Sequence, residues 1–251
     1  MTGSISPKAV IGQSTIFGKN VIIEDDVKIG ENCIIGHNVV IKNGVRIGNE
    51  VQIDDGTIIG KRPLISPRSI FSENKNLEPA IIGTHCQIGS HVIIYLQTKI
   101  GSRNLIADFA SIRENVVIGD INIIGRNVAI ENFVKIGDRC KLETNCYITA
   151  YSEIEDYCFI APGVTTSNDN YLGRDPERFN HFKGVVVKQG GRIGVSATVL
   201  PGITINSDGV VAGGSLVTRD VGSKEIWMGR PAKKIKEVPE KQLLKNNLDK
   251  S

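Results

Sequence analysis

Aliphatic residues recur at every sixth position through most of this 251-residue chain. Starting at Ile5, the chain divides into thirty hexads in three blocks, which begin at residues 5, 82 and 187. The first position of each hexad is Ile, Val or Leu, with Phe17 as the single exception. The fifth position is nearly always small, and the second is most often glycine. A period this regular predicts a solenoid in which each hexad is one short strand and one turn.

A large residue at position one and a small residue at position five can both face a narrow interior. Three such strands close a triangular coil, and each coil rises by roughly 4.8 Å. The hexads therefore predict an all-β fold of about ten coils, a prism on the order of 48 Å long. All the cysteines fall on the fifth position, so we predict buried free thiols rather than disulfides or metal ligands. They are Cys33, Cys86, Cys140, Cys146 and Cys158.

The hexads stop at two places, residues 60–81 and 165–186. Insertions in a solenoid form loops on one face, and long ordered loops are frequently functional. A loop that only covers the seam of a neighbouring subunit is the alternative. The repeats end near residue 221, so we divide the chain into a β-helix over 1–221 and a tail or cap over 222–251. From Glu237 onward the tail pattern predicts a short amphipathic helix with Leu243, Leu244 and Leu248 on one face.

The net charge of +3 is spread over well-mixed acids and bases. This mixture indicates neither a nucleic-acid surface nor a polybasic membrane patch. The first residues lack an apolar segment of the signal-peptide type, and no run approaches the length of a membrane span. We therefore expect no membrane partner and a cytoplasmic location.

The histidines do not predict a metal site. His85 and His91 occupy the same position of consecutive hexads, so they would point from adjacent faces of the triangle. His37 lies several coils away, and His181 is in the second insertion. No three of them converge as a zinc site requires, so we expect no metal.

Three segments near the C-terminus are rich in small and basic residues: GGRIGVSATVLPGITI (190–205), VVAGGSLVTRDV (210–221) and WMGRPAKKIK (227–236). In order and spacing they resemble the acetyl-CoA segment of the hexapeptide-repeat acyltransferases. That resemblance implies a left-handed parallel β-helix and an acetyl-CoA co-substrate. Small residues leave backbone groups open to the pantetheine amides, and cations can meet the phosphates. Glycine required by tight coils and a solvated basic tail are the alternative interpretations. The implied cofactor-binding residues are Gly194, Ser196, Ala197, Gly213, Gly214, Ser215, Arg219, Arg230 and Lys233.

The phrase GVTTSNDNY (163–171), with KGVVVKQGGRIG after a short loop, resembles a narrower group. This group comprises the N-acetyltransferases that modify nucleotide-linked 3-amino sugars, of the dTDP-3-amino-3,6-dideoxyhexose type, for bacterial surface glycans. The resemblance implies a homotrimer in which the Asn-Asp pair, here Asn168 and Asp169, opens a loop that lines a site between subunits. The continuation NYLGRDPERF departs from the Pro-Arg usual after that pair, so the identity of the sugar stays open. A second departure, Ile205-Asn206 in place of Ile-Gly, concerns a turn.

An acceptor amine attacking the thioester of acetyl-CoA needs alignment and, where used, a general base. If the nucleotide end of CoA sits at the last coils, the thioester falls near residues 142–170, which are rich in acids and tyrosines. Solvated outer faces are the alternative for each of these residues. A mechanism without a protein base is equally open. An O-acetyltransferase is the nearest enzymatic alternative, and a non-catalytic scaffold is the alternative from another class. The predicted catalytic residues are Glu143, Asn145, Asn168 and, as an alternative base, His91; the predicted substrate-binding residues are Tyr147, Tyr151, Asp169, Lys61 and Arg62.

Overall fold

The computed structural model describes residues 4–64, 66 and 77–248. In these residues the chain consists mainly of two-residue strands, with three short 3-10 helices at Pro176–Asn180, Glu240–Gln242 and Leu244–Asn246. None of these helices is long and apolar enough to cross a membrane. The strands are, in chain order, β1 (Ser4–Ile5), β2 (Val10–Ile11), β3 (Ile16–Phe17), β4 (Ile22–Ile23), β5 (Lys28–Ile29), β6 (Ile34–Ile35), β7 (Val40–Ile41), β8 (Arg46–Ile47), β9 (Gln52–Ile53), β10 (Ile58–Lys61), β11 (Ile81–Ile82), β12 (Gln87–Ile88), β13 (Ile93–Tyr95), β14 (Lys99–Ile100), β15 (Leu105–Ile106), β16 (Ser111–Ile112), β17 (Val117–Ile118), β18 (Ile123–Ile124), β19 (Ala129–Ile130), β20 (Lys135–Ile136), β21 (Lys141–Leu142), β22 (Tyr147–Ile148), β23 (Glu153–Ile154), β24 (Phe159–Ile160), β25 (Thr165–Thr166), β26 (Val186–Val187), β27 (Arg192–Ile193), β28 (Thr198–Val199), β29 (Thr204–Ile205), β30 (Val210–Val211), β31 (Leu216–Val217), β32 (Glu225–Gly229) and β33 (Ala232–Glu237).

The strands form three parallel sheets, here named A, B and C. Sheet A takes every third strand from β1 to β31, and sheet B every third strand from β2 to β29. Sheet C takes every third strand from β3 to β30, followed by β32 and β33. Over the described residues the sheets contain 11, 10 and 12 strands. Strands three places apart in the chain pair in register, as Ile22 does with Val40. This confirms the predicted all-β solenoid with three strands per coil.

The interior is filled by the first and fifth positions of the hexads, as predicted. Ile41 and Ile130 at position one are 0% exposed, and so is Val39 at position five. All five cysteines are free and buried. Burial raises the pKa of the Cys146 thiol to about 11. The thiols are therefore packing groups, as the sequence predicts.

One inward column of thiols and amides is linked by hydrogen bonds between coils. The backbone N–H of Asn122 donates to Oδ1 of Asn104 at 2.8 Å, and that of Cys140 donates to Oδ1 of Asn122 at 2.7 Å. Each amide side chain therefore satisfies a buried donor of the following coil.

Glycine at the second position leaves room for the next coil. A Cβ built on Gly119 would lie 2.1 Å from Oδ1 of Asp138 and 2.8 Å from the carbonyl oxygen of Gly137. The same Oδ1 accepts a hydrogen bond from the backbone N–H of Asp120 at 2.7 Å. Glycine thus recurs where the next coil carries Asp or Asn at position three. The other such pairs are Gly30 with Asn49, Gly36 with Asp55, Gly89 with Asp108, Gly101 with Asp120 and Gly137 with Asp156.

Three corners, named here by the sheets they join, carry the turns. Corner AB follows a sheet A strand (for example residues 149–152), corner BC follows a sheet B strand (155–158) and corner CA follows a sheet C strand (143–146). The fourth hexad position at each corner is left-handed, with φ of 64° at Tyr151, 59° at Tyr157 and 62° at Asn145.

Both insertions leave the solenoid at corner AB. The first runs from β10 to β11, and its residues 65 and 67–76 lie outside the described part of the chain. The second runs from β25 to β26 and contains the 3-10 helix Pro176–Asn180. The observed strands shorten the expected insertions by one or two residues at each end. Five coil steps separate β10 from β25 in sheet A, a rise of about 24 Å.

The tail extends sheet C and contains less helix than expected. β32 pairs in parallel with β30, and β33 returns antiparallel. From Glu237 onward the predicted amphipathic helix is reduced to two 3-10 turns. The side-chain amides of Asn246 and Asn247 donate to the carbonyl oxygens of Glu240 and Leu243, which competes with helical hydrogen bonds. A segment this short also has little helical stability of its own.

Candidate functional site

Large side chains replace glycine at the second position of corner AB. Between the two insertions this position carries Tyr95, Arg113, Glu131 and Thr149, one coil apart. Tyr95, Arg113 and Glu131 are half-buried. They form a polar column, here called the AB column, with an insertion at each end.

Arg113 is fixed on several sides. Its Nε and Nη2 donate to the two carboxylate oxygens of Glu114 at 2.8 and 3.0 Å, and its guanidinium lies over the Tyr95 ring at 5.1 Å. Lys61 Nζ lies 5.3 Å from the centre of the same ring. The Glu114 side chain is 11% exposed. The bidentate pair neutralises Glu114 where burial would otherwise disfavour its charge.

Glu131 is held more loosely than Glu114. Its Oε2 lies 3.6 Å from Nη1 of Arg113, and 27% of its side chain is exposed. Burial raises the pKa of the Glu131 carboxyl; Arg113 opposes this and Glu114 adds to it. Burial also raises the pKa of the neighbouring Tyr147 phenol, with a further contribution from Glu131. Burial thus raises the pKa of both the Glu131 carboxyl and the neighbouring Tyr147 phenol.

Asp169 organises the root of the second insertion. Its carboxylate accepts hydrogen bonds from the backbone N–H groups of Tyr171 (2.8 Å) and Gly173 (3.0 Å) and from Nε of Arg178 (2.9 Å). Burial opposes ionisation, but these donors outweigh it and lower the pKa of Asp169. The carboxylate oxygens of Asp169, a predicted substrate-binding residue, therefore accept hydrogen bonds from within the loop. Asn168 is half-buried, and its carbonyl oxygen accepts from the N–H of Lys183 at 3.2 Å.

Glu143 and Asn145 lie at corner CA, on the opposite side of sheet A from the AB column. Glu143 is half-buried, and its carboxylate has no hydrogen-bond or ion-pair partner in residues 4–64, 66 and 77–248. Asn145 is exposed, and its amide oxygen accepts from Nδ2 of Asn127 at 2.8 Å.

His91 lies on corner CA as well, but three coils before Asn145, about 14 Å along the axis. Its ring stacks on Phe109 with centroids 5.4 Å apart. A Cβ on Gly56 would lie 2.5 Å from the imidazole, so the ring covers that corner. Within one chain the structure does not bring His91 together with Glu143.

The remaining predicted substrate residues border sheet A and corner AB. Tyr147 is the outward residue of β22, and Tyr151 stacks on Phe133 with centroids 5.2 Å apart and planes 1° apart. Lys61 ends β10 at the start of the first insertion, next to the exposed Arg62. The AB column lies between these two groups.

Most of the predicted cofactor residues lie at corner CA of the last coils, whereas Arg219 follows β31 at corner AB and Lys233 lies in β33. Ser196 and Gly214 occupy the same position of two successive coils there, and both are left-handed, with φ of 54° and 66°. A Cβ on Gly214 would meet no described atom within 4 Å, so this corner is open. Nε of Arg230 donates to the carbonyl oxygen of Gly214 at 2.7 Å. Gly194 and Gly213 lie on the same corner, and Arg219 and Lys233 are exposed. An open corner beside cations fits an extended ligand that ends in phosphates.

Two of the predicted cofactor residues face the interior. Ala197 is 0% and Ser215 is 1% exposed, and the Ser215 hydroxyl accepts from the N–H of Gly229 at 3.2 Å. Their side chains are packing and anchoring groups, which leaves only their backbone for any ligand.

Two family models match the chain. Residues 17–118 match the GMPPB C-terminal domain, and residues 115–150 match the hexapeptide repeat of succinyl-transferase. The repeat model coincides with strands β17 to β22 of the solenoid. Residues 115–150 are therefore similar to the hexapeptide repeats of that family.

The relatives described next carry acyltransferase names. "Putative acetyltransferase YJL218W" from Saccharomyces cerevisiae is 30% identical over 92 residues, which are 36% of this chain and 47% of that protein. The chain thus matches about half the length of this curated relative. A UDP-N-acetylglucosamine acyltransferase from Bacteroides fragilis aligns with a TM-score of 0.58 at 21% identity, over 93% of this chain and 72% of that one. Its counterpart from Campylobacter jejuni gives 0.51 at 15% identity, over 93% and 75%. These two structures share the fold.

The AB column is the part of the candidate site that sequence reasoning missed. A signal was present, because second-position residues eighteen apart read Tyr95, Arg113, Glu131 and Thr149 where the other corners favour glycine. As to metals, the described residues contain no group of three or more His, Cys, Asp or Glu side chains placed to hold an ion.

Proposed function

We propose that this protein is an acetyl-CoA-dependent N-acetyltransferase that acylates the amine of a nucleotide-linked amino sugar. The acceptor is of the dTDP-3-amino-3,6-dideoxyhexose type and serves surface glycan synthesis in the cytoplasm. The left-handed coil of the hexapeptide acyltransferases belongs to the same proposal. The observation that carries it is the AB column, a polar row about 14 Å long that lies between the two insertions on one corner. Among the relatives, the yeast protein is named an acetyltransferase and the two fold neighbours are UDP-N-acetylglucosamine acyltransferases, which supports this proposal.

In the proposed reaction the neutral amine attacks the thioester carbonyl. The C–N bond forms, the C–S bond breaks, and the sulfur leaves with a proton as CoA thiol. The protein mainly has to align the amine and stabilise the oxyanion. The uncovered corner at Ser196 and Gly214, with Arg230 and Lys233 for the phosphates, is the proposed CoA contact surface.

Glu143 is the first sequence-derived candidate for positioning the amine, with Asn145 and Asn168 as hydrogen-bonding partners. Its unpartnered carboxylate supports that role. His91 could take part only across a subunit boundary, since within one chain it lies about 14 Å from Asn145 along the solenoid axis.

We further propose a homotrimer with the site in the cleft between chains. Exposed apolar side chains on the second insertion support this, since Leu172 is 85% and Phe179 50% exposed. Such residues are typical of surfaces that a partner covers. Light scattering should give about three times the 27.2 kDa chain mass. A monomer would contradict the shared site.

The deciding experiment is an acceptor panel with acetyl-CoA. Nucleotide-linked amino sugars should be acetylated with release of CoA thiol, and the matching hydroxyl sugars should not. Acetylation of the hydroxyl sugars alone would indicate an O-acetyltransferase. Calorimetry showing no binding of acetyl-CoA would indicate a scaffold.

A further inference from the structure

We propose that Glu131 receives the ammonium group of the acceptor and takes its proton, with Glu114 and Arg113 as its fixed support. This inference rests on the proposed N-acetyltransferase function and assigns the amine subsite to the AB column, a place that the sequence-derived candidates leave empty.

The two carboxylates of the column are not equivalent. Arg113 gives Glu114 two hydrogen bonds of 2.8 and 3.0 Å, whereas its nearest approach to Glu131 is 3.6 Å. A separation of 3.6 Å is too long for a good hydrogen bond. The oxygens of Glu131 therefore keep lone pairs available to another donor, while those of Glu114 are saturated on the Arg113 side.

The guanidinium cannot easily swing across to Glu131. One of its faces lies against the Tyr95 ring, and that ring also has Lys61 Nζ within 5.3 Å of its centre. The bidentate contact with Glu114 holds its edge. Planar, bidentate and stacked contacts are the most restrictive that arginine makes. The unequal sharing of Arg113 is thus a fixed property of the column.

The charges that face Glu131 favour a cationic guest. The adjoining coil contributes Arg113 and Glu114, and the following coil contributes the neutral phenol of Tyr147. Glu131 shares the charge of Arg113 at 3.6 Å with Glu114, which holds that cation more closely. An ammonium group with three donors can bridge Glu131 and the oxygen of Tyr147.

The proton balance is complete with these groups. The acceptor ammonium loses a proton to the Glu131 carboxylate, giving a neutral amine and a carboxylic acid. The amine then attacks the thioester, the C–S bond breaks, and the second amine proton leaves on the CoA sulfur. The carboxylic acid of Glu131 returns its proton to solvent. Burial raises the pKa of Glu131, which brings it nearer to that of a base suited to neutral pH.

The test measures kcat/KM against pH for acetylation of a nucleotide-linked amino sugar by the full chain. Glu131→Gln should lower kcat/KM at pH 7 by about 10²- to 10⁴-fold, the usual range for a general base. The loss should shrink as pH rises, because free amine then becomes available without the carboxylate. Calorimetry at pH 7 should also show Glu131→Gln losing the preference for the amino sugar over its hydroxyl analogue.

Glu24→Gln is the matched control. Glu24 occupies the same second position of corner AB, but it lies before the first insertion and pairs with Lys42 at 2.7 Å. It should keep wild-type kinetics, and thermal melts should show all variants folded. Wild-type kinetics in Glu131→Gln, or a loss found only in Glu143→Gln, would overturn the assignment while leaving the N-acetyltransferase intact. A wild-type protein that acetylates no amine would overturn both.

Discussion

At the scale of single residues, Asp169 ties the second insertion together through three separate donors. Replacing it with Asn removes the charge that Arg178 and two backbone N–H groups share. A hydrogen bond to a charged group is worth about 1.5–3 kcal/mol, so the population of the open loop should rise by tenfold or more. Trypsin cleavage after Arg174 or Arg178 should accelerate accordingly in Asp169→Asn.

The same residue sets a pH dependence for the loop. Because the folded pKa of Asp169 is lowered, its stabilisation is present above the ordinary carboxyl pKa of about 3.9 and is lost as pH falls below that value. Cleavage by an acid-stable protease should therefore speed up below about pH 4 in wild type more than in Asp169→Asn. Asp175→Asn is the control, since in the described part of this loop the Asp175 carboxylate accepts a single hydrogen bond, from the N–H of Glu177 at 2.9 Å, and none from Arg178. Equal cleavage of all three proteins would show that Asp169 does not hold the loop.

At the scale of the coil, glycine and aspartate act as a pair across two turns. Gly119→Ala places a Cβ against Oδ1 of Asp138 and the carbonyl of Gly137. Overpacking of this kind costs about 1–3 kcal/mol, so the urea midpoint should fall. In an Asp138→Ala background the penalty should be smaller, because the nearest obstructing atom is gone.

The second hexad position also offers a control for this comparison of Gly119→Ala in two backgrounds. Ala107 already carries a Cβ at corner CA, where the next coil has Arg126 instead of Asp at position three. Ala107→Gly should change the midpoint by well under the Gly119→Ala effect. If the Gly119→Ala penalty is the same in both backgrounds, steric conflict with Asp138 is not the reason for the glycine.

Coils and core were predictable because they depend on a local period. Ile at position one and a small residue at position five follow directly from a narrow triangular interior. The contact of Arg113 with Glu114 was not predictable in the same way, since orientation at a corner depends on which side chain the adjacent coil presents. The helix prediction for the tail was wrong for another reason. The side-chain amides of Asn246 and Asn247 donate to backbone carbonyl oxygens and interrupt the helix that the leucine pattern indicates.

Candidate site residues divide along the same line. Sequence order placed Asn168 at the root of an insertion, and the structure has it there. Linear order by itself did not show that Glu143 and Tyr151 stand at different corners, because that requires assigning each hexad to one of three sheets. Counting in eighteens assigns them, and the same count exposes the AB column.

At the scale of the whole molecule, stability should be graded along the prism axis. Each coil contacts only its neighbours, so opening can start at an end and spread. In the described part of the chain the first coils are the least covered, with Ile5 44%, Val10 60% and Ile16 64% exposed. The last coils are covered by β32, β33 and the tail, where Leu243 is 2% exposed. The N-terminal end should therefore open first.

The buried cysteines report this gradient directly. Burial raises the pKa of the Cys33 and Cys146 thiols, so alkylation requires opening of the surrounding coil. In moderate urea, pulsed iodoacetamide labelling read by peptide mass spectrometry should modify Cys33 at least about tenfold faster than Cys146, a difference of about 1.4 kcal/mol in opening free energy. Labelling in strong denaturant, where all five should react alike, provides the reference for intrinsic reactivity. Equal labelling rates for Cys33 and Cys146 would mean that the solenoid opens as one cooperative unit. Faster labelling of Cys146 would mean that β32 and β33 do not protect the C-terminal end.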